Sequence, residues 1–211
     1  MKGDETVRRT DRAFVFIATF PCDGEVKPVH DTARQAYIER TANEQLKQER
    51  YYAWRNLELG LYEVFQIYID RLAFRREPSG KWSTPYCEFS LSHSDYIVAS
   101  SIASVPIGID IQRIREPRHP DFASRVLTPR EYEKYLSLED EEQLHYLFRM
   151  WTAKEAIFKM RGHAHFSPST IEVEGECVHT EIILENGVDY AWSVAWDGSV
   201  PLAIFPVSKF V

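Results

Sequence analysis

Charged side chains set inside apolar segments mark where this chain could do chemistry. Asp110 sits in Ile107-Gly108-Ile109-Asp110-Ile111-Gln112, a run that otherwise reads as a buried strand. Lys154, Glu155 and Lys159 sit in Trp151-Thr152-Ala153-Lys154-Glu155-Ala156-Ile157-Phe158-Lys159, which otherwise reads as a core-forming helix. Carboxylates rarely enter apolar elements without a partner, and a divalent cation is the usual partner for two of them. The lysines then point to an anion, a phosphate, on the far side of that cation.

Strand alternation sends Ile107, Ile109 and Ile111 to one face and Gly108, Asp110 and Gln112 to the other. Asp110 and Gln112 thus offer a cation two oxygens on one rim, with room for a ligand over Gly108; the alternative is a merely solvent-exposed face. Glu155 and Lys159, four residues apart, share a helix face. As a surface pair they would contribute only about 0.3–0.5 kcal/mol. Yet Phe148, Trp151, Ile157 and Phe158 surround them, which is unusual for a solvated face. A metal-bound Glu beside a Lys suits phosphoryl chemistry, because cation and ammonium together offset bridging and leaving-group charge. Ser92-His93-Ser94 is expected in a polar turn with Asp95, able to hold a phosphate or simply to bond its own backbone.

The elements that must position these residues are legible in outline. Ala13 to Ala18 reads as a strand, and three- and four-residue apolar spacing predicts helix from about Asp31 to Asp70. Pro78-Ser79-Gly80 breaks that run, after which Tyr86 to Leu91, Tyr96 to Ala103 and Ile107 to Ile114 read as strands. Thr128-Pro129-Arg130-Glu131 opens a helix with a cap, a first-turn proline and a Glu three residues on. Glu139 to Arg161 is a longer helix ended by Gly162. Two hairpins are expected to follow, one turning at Asn186-Gly187 into Tyr190 to Trp196, the next at Asp197-Gly198 into Leu202 to Phe205. Each half thus offers helices and about three antiparallel strands. The pattern predicts an α+β fold of two similar α/β halves, residues 1–105 and 106–211, packed against each other.

The chain has 211 residues, 44% hydrophobic and 13% aromatic, enough for a substantial core. Its net charge of −7 argues against a generic nucleic-acid binder. Arg8, Arg9 and Arg12 read as a solvated tail. Cys22, Cys87 and Cys177 are odd in number and widely spaced, without zinc-ligand spacing, which suits free thiols in a reducing cytoplasm. The apolar run Ala13 to Phe20 is too short to span a bilayer, so a soluble cytoplasmic protein without membrane or nucleic-acid partners is expected.

The ordered trio Ser-His-Ser, Pro-Ile-Gly-Ile-Asp-Ile and Trp-Thr-Ala-Lys-Glu-Ala, with a Lys four after the Glu, resembles the Sfp-type 4′-phosphopantetheinyl transferases. The likeness covers about residues 80 to 162; the first 70 residues share only predicted helicity. It implies that fold of two packed halves and an enzyme that moves the phosphopantetheine arm of coenzyme A onto a serine of an acyl- or peptidyl-carrier protein. The reaction would use Mg²⁺ and release adenosine 3′,5′-bisphosphate. By the same resemblance Asp110 and Glu155 would hold the metal, Glu155 would be base for the carrier serine, and Lys159 would stabilise or protonate the leaving phosphate. Ser92 and His93 would hold the 3′-phosphate, Lys81 would lie near the adenine or its phosphates, and Lys154 would join the cofactor contacts. Lys47, Arg50 and Arg55 are candidates for the 3′-phosphate from the helical half. Family members commonly carry an acidic residue where this chain has Gln112, whose amide oxygen would be a ligand without charge.

Two other readings use the same residues. One is a carrier-binding protein that kept the fold and lost the chemistry; the other is a metal-dependent hydrolase of a nucleotide phosphoanhydride. Phe122 to Tyr135, with Arg125, Val126, Leu127 and Arg130, is the candidate docking helix for an acidic carrier, or else a helix packed on its own core. Two halves in one chain imply a monomer, because one chain would complete the site.

Overall fold

The computed structural model describes residues 10–78 and 80–210; Arg8, Arg9 and Ser79 lie outside them. The chain opens with β1 (Ala13–Thr19). The helical stretch is two helices, α1 (Thr32–Glu39) and α2 (Glu44–Phe65). Asp31 accepts the Arg34 N–H and Asn43 the Leu46 N–H, so each helix has its own side-chain cap and the break falls between them. Helix α2 stops where Gln66 turns left-handed, at φ 55°. A small ribbon, β2 (Arg75–Arg76) with β3 (Trp82–Ser83), leads into the hairpin of β4 (Glu88–Ser94) and β5 (Ile97–Ala103).

Ser92, His93 and Ser94 are therefore strand residues and not a turn. Ser94 pairs with Ile97, which leaves only Asp95 and Tyr96 in the loop, with Asp95 left-handed at φ 53°. Strand residues alternate faces, so Ser92 and His93 point opposite ways. That alternation separates their roles.

The second half runs β6 (Ile107–Arg113), α3 (Phe122–Val126), α4 (Pro129–Leu136), α5 (Asp140–Arg161), β7 (Val178–Glu185) and β8 (Val188–Trp196). Thr128 and Glu131 form the expected capping box, and Gly162 ends α5 left-handed. The Asn186-Gly187 hairpin forms, with Glu185 opposite Val188. The second predicted hairpin does not. Strands β9 (Leu202–Ile204) and β10 (Ser208–Lys209) instead lie parallel to β1. The reason is edge availability: β8 is the centre of the order β6-β8-β7, so neither of its edges is free, whereas β1 has β5 on one side only. The tail thus crosses back, and the first sheet is completed by residues from beyond position 200.

The layers run helix, sheet, sheet, helix. Alternate residues of β1 and β5 (Val15, Ile17, Ile97, Ala99) meet Ile107, Ile109 and Ile111 of β6 and Trp192 and Val194 of β8 in one buried core. On the outer side of the first sheet α2 packs Trp54, Leu57 and Leu61 against Phe89 and Ile102. On the outer side of the second, α5 packs Ala156 and Ile157 against Ala195. Both long helices have 22 residues. Each is apolar toward its sheet, and their burial supplies most of their stability. No helix among the described residues is long and apolar enough to cross a membrane.

Candidate active site

Two contacts assemble the site, the first within the second half and the second between the halves. Gly108 on β6 is the first: a Cβ there would stand 2.0 Å from the Ala156 carbonyl oxygen and 2.5 Å from the Met160 nitrogen. The space over Gly108 holds the backbone of α5, not a ligand, and this approach sets the helix's carboxylate and ammonium over the strand's aspartate. The second is a pair of serine hydroxyls on β4. Ser92 Oγ accepts the Ile111 N–H at 3.2 Å and Ser94 Oγ the Arg113 N–H at 2.9 Å, so side chains of the first half satisfy backbone donors of β6.

Asp110 is buried, only 2% exposed, which removes the solvent-face reading of this strand. Its Oδ1 accepts from Ser92 Oγ at 2.7 Å and from Lys159 Nζ at 2.7 Å. Lys159 also donates to the Ile109 carbonyl at 3.1 Å. Glu155, one turn before Lys159, feels both groups. Burial pushes its carboxyl up to about 7; the Lys159 ammonium opposes the rise and the Asp110 charge adds to it. The strand's aspartate and the helix's glutamate therefore converge. Gln112 lies beside them, its Nε2 3.4 Å from Asp110 Oδ2, so the amide presents its donor side to the carboxylate. Turning the amide over presents its oxygen.

Among the described residues no three His, Cys, Asp or Glu side chains gather as metal ligands; the acidic donors here are two. Two carboxylates and an amide oxygen, with positions left for waters and substrate phosphates, still match how Mg²⁺ is held. Burial is the main cause of the raised Glu155 carboxyl and the Asp110 charge adds to it, so a cation between the two would favour the ionised form. The donor set fits the ion.

Beside this cluster opens a cavity of about 260 Å³ reaching from α1 and α2 across β3 and β4 to the end of α5. Arg34, Arg50, Lys81 and Lys159 line it with His93 and His163, and among the described residues no carboxylate does. In a chain of net charge −7 that is a concentrated positive field, suited to a polyanion. Lys159 belongs to both places: it lines the cavity and holds Asp110.

The structure sorts the sequence candidates. Arg50, Lys81, His93 and Lys159 reach the cavity. Ser92 does not line it; its hydroxyl is committed to Asp110 and Ile111. Lys154 is turned away altogether. Fully buried, its ammonium donates to Val126 O at 2.9 Å, Glu131 Oε2 at 2.6 Å and Pro168 O at 3.0 Å, which satisfies all three of its donors. It ties α5 to α3, α4 and the turn after it. Lys47 and Arg55 stay outside the cavity, with Glu44 and Glu58 as their ion partners. The predicted docking helix is two helices broken at Leu127-Thr128, and Val126 and Leu127 are buried in their own cluster, so only Arg125 and Arg130 of that set face solvent.

Sequence reasoning missed Arg34. Its guanidinium packs over Tyr37, Trp54 and Trp82 at 4.9–5.4 Å from their ring centres, and Arg50 sits 4.2 Å over Tyr37. Burial pulls Arg34 down to about 10, still charged at neutral pH. The available signal was an arginine four before Ile38 on the apolar stripe of a short amphipathic helix.

The family model for the 4′-phosphopantetheinyl transferase superfamily matches residues 106–204, the half that carries Asp110, Glu155 and Lys159. The holo-[acyl-carrier-protein] synthase of Streptococcus suis is 32% identical over 109 residues, 49% of this chain and 87% of that protein. The 4′-phosphopantetheinyl transferase psf-1 of Bacillus pumilus is 33% identical over 105 residues, 48% of this chain and 45% of its own length. The transferase Sfp of Bacillus subtilis is 35% identical over 78 residues, 37% of this chain and 34% of that protein. This chain thus aligns with less than half the length of those Bacillus relatives. It belongs to the 4′-phosphopantetheinyl transferase superfamily.

Proposed function

We propose that this protein is a 4′-phosphopantetheinyl transferase that moves the phosphopantetheine arm of coenzyme A to a serine hydroxyl of an acyl- or peptidyl-carrier protein, with Mg²⁺, releasing adenosine 3′,5′-bisphosphate. The observation that carries this reading is the double role of Lys159, which joins a cationic cavity lined by no carboxylate among the described residues to Asp110, whose charge acts on the nearby Glu155. A nucleotide with a terminal 3′-phosphate and a diphosphate has that charge distribution. The cavity would take the phosphate-rich nucleotide, and the two carboxylates would hold a cation that offsets the charge of its diphosphate.

Asp110, Glu155 and the turned amide of Gln112 would hold the Mg²⁺, which neutralises the diphosphate oxygens. The remaining steps belong to side chains. Arg50, Lys81 and His93 anchor the 3′-phosphate, and Arg34 supports them from behind its aromatic cage. Glu155 would take the proton of the attacking serine hydroxyl; burial raises its carboxyl to about 7 in the metal-free site, and the cation it holds would keep it ionised. Lys159 offsets the charge that builds on the departing phosphate. Ser92 and the Ile109 carbonyl keep Asp110 and Lys159 in register.

The division of labour proposed is residues 1–105 for the 3′-phosphate side and 106–211 for the metal strand and catalytic helix. One chain completes the site, which suits a monomer working in the cytoplasm. Incubation with coenzyme A, Mg²⁺ and several unrelated apo-carrier domains should add one phosphopantetheine mass to a carrier. No adduct on any of them, or phosphopantetheine released from coenzyme A without a carrier, would overturn the assignment.

A further inference from the structure

Among the described residues no carboxylate lines the cationic cavity, yet one stands directly behind its wall. Glu49 projects from α2, the helix that also supplies Arg50, and is only 9% exposed. A buried carboxylate needs a partner, and next to an anion site an unpaired one would repel the ligand. The neighbouring Arg50 does not serve, because its guanidinium is directed to Thr41 and the face of Tyr37. His93 is the group that faces it: its Nδ1 is sealed from solvent and lies 2.7 Å from Glu49 Oε2, an ion-pair distance at which the nitrogen makes no aligned hydrogen bond in the free protein. With that nitrogen turned inward, the opposite edge of the ring, carrying Nε2, is what His93 can offer the cavity it lines.

A neutral imidazole carries one N–H. Facing a carboxylate on Nδ1 and a phosphate on Nε2, it would need to donate to both, which only the doubly protonated ring can do. We propose that Glu49 is a positioning residue that locks the His93 ring with Nδ1 inward and holds it as an imidazolium in the complex, so that Nε2–H grips the 3′-phosphate of the bound nucleotide. This rests on the cavity being the 3′-phosphate site. The other charged or titratable groups lining that cavity are Arg34, Arg50 and Tyr37 from α1 and α2, Lys81 after the first ribbon strand, and Lys159 and His163 from the end of α5.

The test compares affinities for adenosine 3′,5′-bisphosphate and adenosine 5′-monophosphate by calorimetry in wild type, Glu49→Gln and His93→Ala. Wild type should prefer the bisphosphate at pH 6 and pH 8. Glu49→Gln should lose about ten- to hundredfold of that preference at pH 8, the worth of a hydrogen bond to a charged group. It should regain part of it at pH 6, where solvent supplies the proton that Glu49 no longer holds on the ring. His93→Ala should lose it at both. A merely structural role for Glu49 would weaken both ligands equally and show no recovery at pH 6. Glu49→Gln discriminating as wild type does at pH 8 overturns the proposal while leaving the cavity reading intact. Wild type without any preference overturns the cavity reading itself. Should Glu49→Gln not fold, nitrogen-15 NMR of the wild-type bisphosphate complex at pH 8 decides the matter. Both His93 ring nitrogens protonated supports the lock, and one bare nitrogen refutes it.

Discussion

Replacing Glu155 with Gln should make the metal-free protein more stable at alkaline pH, although it removes a catalytic group. Glu155 ionises at an ordinary 4.5 in the unfolded chain and at about 7 in the folded one, because burial and Asp110 outweigh Lys159. Between those values the folded state holds a proton that the unfolded state has released, so stability falls as pH rises through this window. Below pH 4.5 both states are protonated and nothing is lost; above pH 7 the whole penalty is present. At about 1.36 kcal/mol per pH unit the penalty is about 3 kcal/mol. A neutral amide of the same shape avoids it. Urea unfolding with a chelator present should therefore show Glu155→Gln about 3 kcal/mol more stable than wild type at pH 8, and nearly equal to it at pH 4.5. In a chain of this size that corresponds to roughly 6–12 °C in Tm. Adding Mg²⁺ should raise wild type more than the variant, since a bound cation offsets the cost of ionising the buried Glu155 carboxylate. Equal stability of the two proteins at pH 8, or an advantage that does not change with pH, would refute the account of the paired carboxylates.

Gly108→Ala should cost about 3 kcal/mol or more in urea unfolding and abolish transfer, because the new methyl meets α5 backbone that cannot move aside. Lys154→Met should destabilise by about 3–5 kcal/mol by leaving the Glu131 carboxylate without its buried partner. Coenzyme A affinity of the folded fraction should be unchanged in that variant; a large loss of affinity would return Lys154 to the cavity. Arg50→Ala should raise the KM for coenzyme A about tenfold or more, whereas Lys47→Ala and Arg55→Ala should leave it within twofold of wild type. Arg125→Glu with Arg130→Glu should raise the KM for an acidic carrier without changing that for coenzyme A, and an unaltered carrier KM would remove this face from docking.

Much of the site was readable because its chemistry conflicts with its surroundings. An aspartate among isoleucines and a glutamate among aromatics are anomalies that local pattern exposes, and β6 and α5 form almost as their periodicity predicts. Helix starts were readable at Asp31 and Thr128, where a side chain caps them, but the Asn43 cap inside the long helical run was overlooked.

Composition, periodicity and capping residues determined by themselves which segments are helix or strand and which charged groups are out of place, because those signals are carried by neighbours along the chain. Tertiary structure alone decided where each charge points. Lys154 and Lys159 lie on one helix, yet one is bound by three oxygens inside the second half while the other reaches Asp110 and the cavity. Strand β9 left β8 for β1 because β8 had no open edge. Arg34 and His93 line one cavity and Glu49 stands against His93, across α1, α2 and β4, and no local spacing records a contact between elements that only packing brings together.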